Sequence, residues 1–194
     1  MKLARTVSAA FALLVLTGCA SSAPHYYTLT TAAADAVPAD VSPAPFVLRL
    51  KPVSLAERLN QPQLMVHQRN GELLMSDNAL WAAPLPEEIR AALTARLEHS
   101  LKTTDIGALT PPAGKPVIGI RVAVDQFDVW QGEKATIAAI WQLDFGNESG
   151  QLTCQTQHQR AIQGNTQARV IVQQKLVQDV ADDIAVSVLR HRCG

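Results

Sequence analysis

Val117-Ile118-Gly119-Ile120-Arg121-Val122-Ala123-Val124 is the stretch on which the fold turns. Ile118, Ile120, Val122 and Val124 fall at every second position, which gives an extended strand one apolar face. The strand runs on to Val129. A second run with the same period follows. Between Ala135 and Phe145, Ile137, Ala139, Trp141, Leu143 and Phe145 share one face, and Thr136, Gln142 and Asp144 share the other. Gly146-Asn147-Glu148-Ser149-Gly150 makes a turn. A third run, Gln151 to Ile162, is polar at its odd positions and starts apolar at Leu152 and Cys154. Three period-two runs joined by short turns predict an antiparallel meander with one covered face.

The cover comes from two helices. Pro86 fits a first helical position, and Glu87 and Glu88 complement the positive end of the helix dipole. Ile89, Leu93, Leu97 and Leu101 then recur every fourth residue, with Ala92 beside them, while Arg90, Glu98 and Lys102 lie off this stripe. A second helix is predicted from about Ala168 to Leu189, with Asn165 or Thr166 as its cap. Its stripe is Val172, Leu176, Val180, Ile184 and Val188, joined by Val177 and Ala181.

Upstream, Tyr26-Tyr27-Thr28-Leu29 reads as a short strand. Phe46 to Val53 reads as another, with Pro52 marking its end or an edge position. Residues 31–45 are Ala- and Pro-rich and predict a loop. Gln63 to Gln68 and Glu72 to Met75 flank Asn70-Gly71, which predicts a hairpin closed by a type I′ turn. The whole is an α+β fold: a twisted, mainly antiparallel β-sheet packed against two amphipathic helices.

The 17 basic and 17 acidic residues cancel, so no charge bias points to nucleic acid. The first 18 residues have a different character. Lys2 and Arg5 precede the apolar run Val7 to Leu16, which is shorter than the roughly 20 residues that span a bilayer. The run ends in Leu16-Thr17-Gly18-Cys19, which resembles the lipobox of bacterial lipoproteins. That resemblance implies a leader over residues 1–18, acylation of Cys19 and a lipid-anchored tether over residues 19–25. A single domain over residues 26–194 follows. Ala20 stands where an Asp would imply retention at the inner membrane, which implies the outer membrane.

No catalytic constellation emerges. Gly146 to Gly150 misplaces the serine of a nucleophile elbow and sits in a hairpin. His25, His67, His99, His158 and His191 are scattered singly, without the close spacing of a metal site. No metal ligand set and no cofactor motif is present in the sequence. Asp182 and Asp183 are adjacent on a helix and point in different directions, as a solvated face does. Cys154 and Cys193 can form a disulfide in an oxidising compartment, or remain two free thiols. Trp141 falls on the apolar strand face and reads as core. Trp81 and Trp130 lie near element ends, and each reads either as a partner contact or as packing.

The full layout resembles the PqiC family, the auxiliary lipoproteins of ABC-type, MCE-protein lipid transport systems. The residues that carry the resemblance are the lipobox at Cys19, Tyr26-Tyr27-Thr28-Leu29, the hairpin around Asn70-Gly71, Asn78-Ala79-Leu80-Trp81-Ala82-Ala83-Pro84-Leu85, Val122 to Phe127 and Gly132 to Trp141. Cys154 and Cys193 lie outside that pattern. The resemblance implies a non-enzymatic lipoprotein on the periplasmic face of the outer membrane. Its implied partner is a PqiB-like MCE-domain protein that forms a tube across the periplasm, and it implies ring-shaped homo-oligomers and a role in envelope integrity. By elimination, the expected partner surface comprises Asn70, Gly71, Trp81 and Trp130. Two rival readings are an auxiliary lipoprotein of another envelope machine and an enzyme with an unmarked site.

Overall fold

The computed structural model describes residues 23–31, 43–146 and 150–194. Cys19 and its leader, most of the Ala/Pro-rich stretch and the centre of the turn at residues 147–149 lie outside them. Eight strands form one mixed sheet: β1 (His25–Tyr27), β2 (Val47–Leu50), β3 (Ser54–Leu55), β4 (Gln63–His67), β5 (Leu73–Trp81), β6 (Val117–Trp130), β7 (Lys134–Asp144) and β8 (Gln151–Ala161). Among the described residues two helices, α1 (Leu85–Leu101) and α2 (Thr166–Arg190), complete the α+β architecture.

The predicted meander is β6-β7-β8, antiparallel throughout. β6 is its hub. One edge pairs with β7, and the other takes β2, β3 and the end of β4 in succession, all parallel. β1 also joins parallel, against β5. The strand expected from Phe46 to Val53 is shorter, Val47–Leu50, and β3 begins just past its expected end. Val47 and Lys51 give their N–H groups to the β6 side, Leu48 and Leu50 give theirs to the other side, and past Lys51 the pairing lapses at Pro52 and resumes at Ser54.

β6 keeps its apolar side inward over fourteen residues by breaking its own period. Ile118, Ile120, Val122 and Val124 are buried at even positions, and Phe127 and Val129 at odd ones. The register against β7 slips between Val124 and Gln126, so Asp125 is one extra residue, a β-bulge. β7 has no such break, and its buried residues Ala135, Ile137, Ala139, Trp141 and Leu143 stay in phase.

Two further corrections concern the hairpin. Asn70 does not take the positive φ of a type I′ turn; only Gly71 does, at 87°. The Gly71 N–H donates to the Gln68 carbonyl and the Gln68 N–H to the Glu72 carbonyl, so three residues form the loop and Gly71 supplies the left-handed position after the turn. Asn70 instead accepts from the Glu72 N–H through Oδ1 at 3.1 Å. β5 also runs on to Trp81, so Asn78 to Trp81 is strand and not an open approach to the helix.

Both helix stripes are buried in one core: Ile89, Ala92, Leu93, Leu97 and Leu101 from α1, and Leu176, Val177, Val180, Ile184 and Val188 from α2. Val172, expected in the second stripe, is half-buried at its margin. Asn165 caps α2 by accepting from the Ala168 N–H. A bidentate pair joins the helices, with Arg96 Nε and Nη2 each 2.8 Å from Asp182. That hydrogen bonding holds the Arg96 guanidinium above its ordinary, already high pKa. Asp182 and Asp183 do point apart, but each makes a specific tie.

Leu97 has no exposed surface. Leu97→Ala will destabilise the fold by about 2–5 kcal/mol, the range for a buried Leu truncation that leaves a cavity. Urea denaturation followed by circular dichroism measures it, and an unchanged midpoint would place the α1 stripe outside the core.

Candidate functional site

One end of the molecule gathers most of the residues expected to meet a partner. The β4–β5 hairpin tip and the β6–β7 turn lie side by side there because His67 pairs with Trp130. The Gln131 N–H donates to the His67 carbonyl at 3.0 Å, and Arg69 Nε donates to Glu133 Oε1 at 3.1 Å. Trp130 stacks on the His67 ring, with centroids 4.6 Å apart. His67 Nε2 is 3.0 Å from Asp128 Oδ1, whose other oxygen faces Arg58 at 3.6 Å. Gln68, Arg69, Asn70, Gln131 and Gly132 line a shallow open depression of about 450 Å³. Asn70 and Gly71 are exposed at the tip.

Trp81 does not belong to this surface. It is only 5% exposed and faces Phe127, 6.4 Å away between ring centroids. It ends β5 with its side chain on the helix-covered face, so the packing reading holds and the expected partner contact at Trp81 is corrected. Trp130 is half-buried, held by its stack rather than by the core.

The remaining titratable groups work as struts. Glu88 is buried and accepts from the Leu29 N–H at 2.8 Å and from Thr28 Oγ1 at 2.7 Å, which docks the segment after β1 onto α1. Asp105 accepts from the Leu50 and Gly107 N–H groups and pairs with Arg90 at 2.9 Å. Sequence reasoning missed both hubs, whose partners lie far away in the chain. A third cluster ties β8 to α2. His158 Nε2 lies 2.8 Å from Asp183 Oδ2 and 3.1 Å from Thr156 Oγ1, and Thr156 donates to the same Asp183 oxygen at 2.7 Å. A nucleophile–base–acid relay needs the two ring nitrogens to engage different partners. Here one nitrogen faces both, so the cluster is a strut. Among the described residues no three His, Cys, Asp or Glu side chains are grouped to hold a metal.

Cys154, buried on β8, and Cys193, beyond α2, are joined by a disulfide with their Cα atoms 5.6 Å apart. Arg160 and Asp179, 2.6–2.7 Å apart through two hydrogen bonds, make a parallel tie one turn of α2 before Asp183.

The sequence that folds this way matches the family model described as "ABC-type transport auxiliary lipoprotein component" over residues 27–185. The chain belongs to that family. Two crystal structures share the fold seen here. One, of an uncharacterized protein, superposes with a TM-score of 0.69 at 17% identity, covering 86% of this chain and 99% of the other. The second is a protein from Xanthomonas campestris, with a TM-score of 0.61 at 18% identity and coverage of 87% and 94%. No curated protein matches the sequence. Consistent with a lipoprotein family, no helix among the described residues is long and apolar enough to cross a membrane.

The two tryptophans and the disulfide separate by experiment. Trp81→Ala will cost about 3–5 kcal/mol, as removal of a buried aromatic does. Trp130→Ala will cost clearly less, and thermal melts of the two variants rank them. Cys193→Ser opens a loop closed over a sequence separation of 39, which in the chain-entropy model costs about 4 kcal/mol. Reductant will lower wild-type stability by a similar amount and leave the variant unmoved.

Proposed function

We propose that this chain is the outer-membrane, lipid-anchored auxiliary subunit of an MCE-type lipid transport system. Acylated Cys19 holds it on the periplasmic face. There it receives the end of a periplasmic tube built by an inner-membrane-anchored, PqiB-like MCE-domain protein, and so supports envelope integrity. The observation that carries this reading is the family match over residues 27–185, set directly behind Leu16-Thr17-Gly18-Cys19. The chemistry of the described residues agrees with it. Glu88, Asp105 and Asp183 hold elements of the fold together. Copies assemble as a ring around the tube end. Among the described strands β8 and β1 are the two open edges of the sheet, and repeated head-to-tail contacts between unlike surfaces are what close a ring.

The test has two arms. Cys19→Ser will abolish labelling by a fatty-acid analogue and move the protein out of the outer-membrane fraction on a density gradient. Affinity purification of the wild-type lipoprotein from native membranes will recover an MCE-domain protein. Recovery of a different envelope machine, with the lipid label intact, would transfer the subunit to that machine.

A further inference from the structure

Leu73, Leu74 and Met75 are three consecutive apolar residues that the fold leaves 38%, 45% and 50% exposed. They follow the hairpin tip, and successive strand residues point to opposite faces, so the apolar surface wraps the tip. The outer edge of β5 is also open there among the described strands, because β1 joins β5 only at Ala79, Leu80 and Trp81. Nothing in the described fold covers this tip.

The course of the chain names the occupant. β1 is parallel to β5, so the chain enters β1 from the side of the hairpin tip. β4 gives the scale. Gln63 lies opposite Leu80 and His67 opposite Leu73, four steps that span about 13 Å at the strand rise. His25 is level with Ala79, and Cys19 precedes it by 25 − 19 = 6 residues, a reach of up to about 20 Å. A lipid on Cys19 therefore has the hairpin tip within its reach, on the side from which the chain arrives. Tyr26 lies on the same outer edge and is 64% exposed. Tyrosine is a residue favoured at the membrane–water boundary.

We propose that the Leu73-Leu74-Met75 tip enters the lipid surface beside the anchor, as a second, non-covalent membrane contact. This rests on the reading of Cys19 as the lipid anchor. A single point of attachment lets a domain swivel, whereas two contacts fix its orientation. The hairpin end then faces the bilayer and the opposite end, with the α1–β6 connection and the end of α2, faces the periplasm. Asn70 and Gly71 are thereby membrane-facing, and a tube arriving across the periplasm meets the other end.

The test uses the full lipidated protein in vesicles of phosphatidylethanolamine and phosphatidylglycerol containing a phospholipid with a photoreactive acyl chain. Mass mapping will find the label concentrated on the peptide holding Leu73, Leu74 and Met75, and absent from the exposed Leu109 and Leu189 at the far end. Leu74→Ser combined with Met75→Ser will melt like wild type, retain its fatty acid on Cys19 and lose at least about five-fold of the tip label. Acylated protein with an unlabelled tip, including one where the tip cross-links to a second copy or a protein partner instead, overturns this inference alone. Protein without fatty acid on Cys19 overturns the anchor reading and this inference with it.

Discussion

The fold depends on β6 keeping one face dry for its whole length while serving neighbours on both edges. A strand buried on one side and paired with four others has no freedom of register, because a one-residue slip turns every apolar side chain outward. The extra residue at Asp125 meets this constraint locally. It rotates the second half of the strand so that Phe127 and Val129 rejoin the face set by Ile118 to Val124. The same bulge region carries the β3 pairing and the Arg58 contact to the Asp125 carbonyl.

From this hub outward, apolar burial gives way to polar ties. β7 is apolar on its covered face, whereas β8 buries little besides Cys154 and is mostly Gln, Thr and His. Its position depends on α2, through Arg160–Asp179, His158–Asp183 and the Cys154–Cys193 bridge in succession along the helix. A helix tied to it at three levels supplies the rigidity that side-chain packing does not.

The helices and the meander were legible because their signals are local: fourfold recurrence in one case, period two in the other. What stayed hidden was long-range. A strand carries no mark of whether its partner is parallel, so the pairings of β1, β2 and β3 were not foreseen. The bulge did leave a trace, since the apolar positions change from even at Val124 to odd at Phe127. Asn70-Gly71 located the hairpin but not its turn, because Gln68 and Glu72 close the loop by backbone hydrogen bonds open to any sequence. Trp81 is ambiguous in the sequence because the strand reads as ending at Met75; a strand reaching Trp81 carries it into the core. Glu88 and Asp105 look like ordinary surface acids until the backbone amides of Leu29 and Leu50 are placed against them.

The way β1 is built in has a mechanical consequence. A pull on the chain ahead of His25, directed toward the hairpin end, runs along the strand axis. The hydrogen bonds between β1 and β5 lie across that axis, so they share the force in shear and do not unzip one at a time. Behind them Glu88 grips Leu29 and Thr28, and Gln174 Nε2 donates to the Thr28 carbonyl at 2.9 Å. The force thus passes from a three-residue strand directly into both helices, and the domain takes up load through its most rigid parts.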